Sequence, residues 1–78
     1  MQLAKVVGVR IRAQRKINKL SQDALAFACG IDRSYMGRIE RGEVNITIEK
    51  LYVIADALEC NPSDFLPDLA DFKKTLVL

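Results

Sequence analysis

Apolar residues recur along this chain at helical spacing almost from its first residue. Leu3, Val7 and Ile11 fall four positions apart, with Val6 widening the stripe, while Arg10, Arg12, Gln14 and Lys16 fall mostly on the opposite side. That period predicts a helix from Leu3 to Ile17. Gly8 in its interior weakens it by about 1 kcal/mol relative to alanine, so its first turn is expected to fray. Asn18-Lys19 ends it, since Asn tolerates a left-handed closing conformation. Ser21 then caps a second helix reaching Cys29, with Asp23 placed to complement its dipole and Leu25, Ala26 and Cys29 turned inward. Gly30 stops that helix. Asp32 caps a third, in which Met36 and Ile39 face the core and Gly42 marks the end.

Residues 43–46 read as a loop. Thr47 caps a fourth helix, whose Leu51, Ile54, Ala55 and Leu58 form a regular i, i+3, i+4, i+7 stripe. Asn61-Pro62 reads as a cap followed by proline at the first helical position, opening a short fifth helix through Phe65 and Leu66 that Pro67 interrupts. The tail, residues 68–78, carries Leu69, Phe72, Leu76, Val77 and Leu78. It is apolar enough to need its own domain or a partner to pack on. No β-alternation of useful length is present. The expectation is an all-α domain of five helices spanning residues 1–78.

Composition narrows the function. Seventy-eight residues, half of them apolar, make one small domain with a modest core. No apolar run approaches the roughly 20 residues that cross a bilayer. The first residues reach Arg10 and Arg12 too soon for a signal peptide, so the expected location is cytoplasmic with no membrane partner. There is no histidine, no CxxC pair, no glycine-rich phosphate loop and no nucleophile beside a base. No catalytic residue, metal site, cofactor or small-molecule ligand is therefore expected. Cys29 and Cys60 end apolar patterns and read as core thiols.

The net charge of +2 conceals a segregation. Residues 1–41 hold nine Lys or Arg against three carboxylates, a net +6, and residues 42–78 hold three lysines against seven carboxylates, a net −4. A cationic half suits a polyanion, because phosphate neutralisation releases condensed counterions. Two capped helices hinged at one glycine, over residues 21–41, form a helix-turn-helix unit whose second helix fits a DNA major groove. Its N-terminal residues reach base edges, which selects Arg33 and Ser34, with Gly37 and Arg38 on the same face one turn on. Arg33 is the strongest candidate, since a guanidinium can donate two hydrogen bonds to guanine. Gly37 would let the helix lie close to the groove wall. Tyr35 either reaches sugar and phosphate or half-buries against the first helix.

The ordered elements Ile11-Arg12-x-x-Arg15, Leu20-Ser21-Gln22-x-x-Leu25-Ala26, Gly30-Ile31-Asp32, Tyr35-Met36-x-x-Ile39-Glu40-Arg41-Gly42 and Leu51-x-x-Ile54-Ala55-x-Ala57-Leu58 resemble the phage repressor and Cro-like helix-turn-helix family, the xenobiotic-response-element type. Within it, Asp32-Arg33-Ser34-Tyr35 and Ile39-Glu40-Arg41 are most similar to the controller proteins of restriction–modification systems. The chain departs from that pattern at Lys19 and Glu59, where glycine is frequent. The resemblance implies a five-helix, lambda-repressor-like fold and a transcriptional regulator of palindromic operator DNA. It implies backbone contacts from Gln22, Arg41, Asn45 and Thr47, with Arg12 joining them, and a partly buried structural ion pair between Arg15 and Glu40. A second role open to Gln22 is to brace the recognition helix. One such motif reads few base pairs, so a homodimer is expected. Its interface must come from the C-terminal part, residues 43–78: Ile46, Tyr52, Phe65, Leu66 and the tail with Phe72. The alternative is an antitoxin-type module that binds a protein through its tail and also binds its own promoter.

Overall fold

Local capping chemistry sets where three of the helices begin. In a computed structural model, which describes residues 2–73, α1 runs Leu3–Ile17, α2 Gln22–Cys29, α3 Arg33–Glu40, α4 Ile48–Ala57 and α5 Leu69–Lys73, with a 3-10 turn at Pro62–Phe65. The Ser21 hydroxyl accepts from the Ala24 amide, Asp32 accepts from the Ser34 and Tyr35 amides, and Thr47 accepts from the Lys50 amide. All three are the caps expected from sequence, and each satisfies an N–H that the helix leaves unpaired. Asn61 and Asp64 close a reciprocal capping box around Pro62, but the chain there makes one 3-10 turn rather than a fifth α-helix. The fifth α-helix lies in the tail instead, at Leu69–Lys73. Residues 74–78, including Leu76, Val77 and Leu78 of the expected packing tail, lie outside the described residues.

The stripes meet in one cluster. Val7 and Ile11 of α1, Leu25 and Ala26 of α2, Met36 and Ile39 of α3, and Leu51, Ile54, Ala55 and Leu58 around α4 are all buried, with Phe65 beneath them. Cys29 and Cys60 pack half-buried against this cluster, and burial pushes both thiols up from their ordinary pKa. Phe65 corrects an expectation. At 1% exposure it fills this chain's own core and cannot contribute to an interface between copies. The 3-10 turn swings its ring under α1 and α4, a tertiary outcome that a short apolar pair beside two prolines does not reveal.

Gly8 also departs from its expected role. It is buried where α1 crosses the end of α3, and a Cβ there would sit 2.5 Å from the Ile39 carbonyl oxygen and 2.6 Å from that of Glu40. Those are backbone atoms, so neither helix can yield cheaply. Glycine here weakens α1 locally and lets the two helix backbones touch. Polar groups tie other joints: Asn18 Nδ2 donates to the Leu58 carbonyl at 2.8 Å, and Arg10 Nη1 donates to the Leu66 carbonyl at 2.8 Å.

Lys19 and Glu59 adopt left-handed backbone conformations, φ 57° and 55°, each just beyond a helix end. For a residue with a Cβ that conformation costs roughly 1–2 kcal/mol. The two kinds of position respond oppositely to substitution. Gly8→Ala should destabilise the domain by about 1–3 kcal/mol despite better helix propensity, because overpacking against backbone outweighs it. Glu59→Gly should stabilise it by up to about 1 kcal/mol. Urea denaturation monitored by circular dichroism reads both, and the signs must differ.

Candidate nucleic-acid interface

The helix-turn-helix is assembled by a short hinge and a buried clamp. Gly30 at φ 65° turns the chain between α2 and α3, and the Ile31 amide donates back to the Ala26 carbonyl at 2.9 Å. The clamp is the expected ion pair. Arg15 Nε donates to Glu40 Oε2 at 2.7 Å and Nη2 to Oε1 at 3.0 Å, with Glu40 buried and Arg15 nearly so. Arg15 Nη1 also donates to the Leu20 carbonyl at 2.9 Å, so one guanidinium holds α1, the α1–α2 turn and α3 together. The hydrogen bond to Glu40 raises the Arg15 pKa further above its ordinary value, so the guanidinium stays charged.

Gln22 completes this network. Its Nε2 donates to Glu40 Oε1 at 3.1 Å, bracing α2 against α3, the second of the two roles open to it from sequence. Gln22 stays half-exposed at the start of α2, where free backbone N–H groups favour an anion.

Above this clamp the first turns of α3 are open. The Arg33 side chain is 64% exposed and that of Arg38 52%. Ser34 is exposed, with its hydroxyl donating to Asp32 Oδ2. That bond, with the Tyr35 amide behind it, holds the Asp32 carboxyl below its ordinary pKa and keeps the cap charged. Tyr35 is half-buried with its ring against the core, and Lys50 Nζ stands 4.9 Å from the ring centroid. A cleft of about 520 Å³ is lined by Asp32, Ser34, Tyr35, Arg38 and Lys50 together with Gly30 and Ile31. Lys50 is therefore a cation on this surface that sequence reasoning missed. It comes from α4, and nothing in the local pattern around Thr47 shows that α4 lays it on Tyr35.

A second cleft of about 410 Å³ gathers Arg12, Arg15, Gln22, Arg33, Glu40 and Arg41. It places Arg12 and Arg41 beside Arg33. Gly37 is not an open patch. It is buried because the Arg41 guanidinium and the Gln22 amide fold over it, and a Cβ would lie 3.0 Å from Arg41 Nη1 and 3.4 Å from Gln22 Oε1. An empty position one turn before a long side chain is filled by that side chain. The expectation that bare Gly37 faces a groove wall is corrected accordingly.

Arg33, Arg38 and Arg41 each have a carboxylate partner. Arg33 Nε lies 2.9 Å from Asp23 Oδ1, Arg41 Nε lies 2.6 Å from Glu43 Oε2, and Arg38 Nε lies 3.9 Å from Glu43 Oε1. Arg41 and Arg38 together hold Glu43 below the ordinary carboxylate pKa, chiefly through the Arg41 hydrogen bond. Sequence reasoning placed neither Asp23 nor Glu43 on this surface. Asn45 and Thr47 fall elsewhere: with Leu3, Val7, Ile46, Ile48 and Leu66 they line an apolar groove of about 270 Å³ between the start of α1 and the start of α4. The structure does not bring them to the cleft of Arg33.

A short hinge between two capped helices, clamped by a buried ion pair with an open, arginine-bearing first turn, is the architecture of a DNA-reading module. The family model described as helix-turn-helix matches residues 11–65, and the chain belongs to that family of DNA-binding transcriptional regulators. It is 40% identical over 58 residues to the control protein C.SmaI of Serratia marcescens, covering 74% of this chain and 69% of that protein. Its fold is similar to the crystal structure of the restriction–modification controller protein C.AhdI from Aeromonas hydrophila, with TM-score 0.78, 38% identity and coverage of 81% and 96%. It is also similar to the P22 c2 repressor protein in complex with synthetic operator, with TM-score 0.72, 37% identity and coverage of 77% and 91%.

Breaking the clamp strands a buried charge. Arg15→Ala should cost about 3–5 kcal/mol in urea denaturation, whereas the double replacement Arg15→Met with Glu40→Leu should recover most of that loss.

Proposed function

We propose that this chain is a restriction–modification controller or a similar autoregulator, acting in the cytoplasm as a homodimer on palindromic operator DNA. The observation that carries the reading is the pair of exposed guanidiniums on the first two turns of α3, Arg33 and Arg38. They stand above a scaffold whose buried polar side chains, among the described residues, are all hydrogen-bonded. Arg33 reads a base edge, with Ser34 and Arg38 beside it, because N-terminal residues of such a helix enter the major groove first. Gln22, Arg41, Tyr35, Lys50 and Arg12 border the same surface and suit phosphates, which position the protein without reading sequence. The similarity to C.SmaI and C.AhdI supports the controller role, and the likeness to a repressor bound to its operator supports duplex DNA as the partner.

A dimer interface is supported by apolar surface on the side of the fold built by α4. Ile48 and Tyr52, one turn apart, are 72% and 60% exposed, and Leu66 is 47% exposed beside the groove that half-buried Ile46 lines. Large exposed apolar patches of this kind mark association sites. Half-buried Phe72 of α5 lies by the start of α1 and the 42–45 loop, at the edge of this region. Successive major grooves on one DNA face require two α3 helices about 34 Å apart, the spacing proposed for two copies joined there.

Two measurements test this. A gel shift against a duplex selected from a random library should show Arg33→Ala losing about 1–3 kcal/mol of discrimination at one base pair of each half-site. Gln22→Ala should weaken every duplex about equally. An unchanged preference in Arg33→Ala removes that residue from base reading. Sedimentation at tens of micromolar should show a dimer that Tyr52→Glu dissociates, and a monomer with and without DNA overturns the dimer.

A further inference from the structure

Asp23 is the second residue of α2 and Arg33 the first of α3, and their side chains meet across the Gly30 hinge with Arg33 Nε 2.9 Å from Asp23 Oδ1. Both are largely exposed, 64% for Arg33 and 77% for Asp23, so the pair contributes little to folding stability. Its effect is on where the guanidinium points. A guanidinium has five N–H donors. With Nε turned to the carboxylate, Nη1 and Nη2 are left at the outer end, and that end is the one that pairs with guanine O6 and N7.

A neighbouring arginine shows the contrast. Arg41 turns both Nε and Nη2 to Glu43, at 2.6 and 3.5 Å, which uses one whole edge of its donor set. Glu40, the carboxylate inside the cleft of Arg33, is already held by Arg15 and Gln22. Asp23 is thus the acid that acts on Arg33, and it does so from a neighbouring helix rather than from α3 itself.

We propose that Asp23 is a positioning residue for base selection: it aims Arg33 end-on into the groove and disfavours placements that set a phosphate beside that arginine. The second effect arises from charge. Asp23 stands in the first turn of α2, and any register that brings a phosphate to Arg33 also brings it to the Asp23 carboxylate. Wrong registers are penalised while end-on base pairing is not, which is discrimination by repulsion as well as attraction. This inference rests on Arg33 reading a base, as proposed above.

The test is a double-mutant cycle with Asp23→Ala, Asp23→Asn, Arg33→Ala and the Asp23→Ala/Arg33→Ala pair. Fluorescence anisotropy at one fixed salt concentration measures binding to three duplexes. They are the one selected by the wild-type protein, its single-base variant at the pair where Arg33→Ala loses preference, and a scrambled sequence. Circular dichroism confirms that each variant is folded. Asp23→Ala should lower discrimination between the first two duplexes by about tenfold while binding the scrambled duplex more tightly. Asp23→Asn, which keeps the shape of the side chain and removes its charge, should lose discrimination about as Asp23→Ala does, because the contact is an ion pair. With Arg33 already removed, Asp23→Ala should change all three duplexes by one common factor. A common factor in the wild-type background reduces Asp23 to a bulk charge and overturns the inference, as does an equal loss of discrimination without Arg33. If Arg33→Ala loses preference at no base pair, the base-reading proposal itself falls and this one with it. Preserved discrimination in Asp23→Ala beside lost discrimination in Arg33→Ala defeats this inference alone.

Discussion

The fold depends on one junction, where α1 crosses the end of α3. Two opposite demands meet there. Gly8 removes every side-chain atom so that the backbones touch, and about two turns later Arg15 brings in a charge that Glu40 neutralises. A buried ion pair seldom gains stability over apolar packing, since desolvation offsets much of the attraction. Its contribution here is directional. Five hydrogen-bond donors in a planar fork define one angle between helices, and Gln22 and the Leu20 carbonyl lock onto the same two side chains. The helix that carries Arg33 is therefore held by polar geometry at its rear and by Met36 and Ile39 in the core, leaving Arg33, Ser34 and Arg38 exposed on its outer side.

Carboxylates shape the exposed surface as much as arginines do. Asp32 caps α3 and binds Ser34, Asp23 engages Arg33, and Glu43 engages Arg41 and Arg38. Exposed pairs of this type are weak and exchangeable. A cationic face lined with such partners attracts DNA less indiscriminately than its count of positive charges suggests, because each phosphate contact competes with an internal one. The net +6 of residues 1–41 overstates the free charge at the first turns of α3, since Glu43 of the acidic half is folded back against Arg38 and Arg41.

The two sides of the molecule divide the work along the lines of its chemistry. Charged and polar side chains, Asp32, Arg33, Ser34, Arg38 and Lys50, surround the start of α3 together with Ile31 and Tyr35. Mainly apolar, uncharged side chains surround the groove between α1 and α4, where Ile48, Tyr52 and Leu66 remain exposed. Phe65 marks the boundary: it is adjacent to exposed Leu66 yet belongs wholly to the core.

Much of this was legible without coordinates, for a local reason. Helix starts arise from side chains that bond to backbone within three residues, so Ser21, Asp32 and Thr47 declare themselves, and 3.6-residue periodicity names Ile11, Leu25, Met36, Ile39 and Leu51 as core. The strained positions Lys19 and Glu59 were equally visible as missing glycines. The hidden features are set by contacts between elements distant in sequence. Gly8 looked like a weak point because its partner, the end of α3, lies far along the chain. Gly37 looked open because Arg41 and Gln22 cover it only once α2 and α3 are docked. Lys50 reaches Tyr35, and Asp23 reaches Arg33, across hinges that no periodicity describes. Sequence by itself determined the first four helices, the three side-chain caps among them and most of the core, since those rest on short-range bonding and burial; the tertiary structure alone decided which charges face one another, because that depends on the angles at which the helices cross.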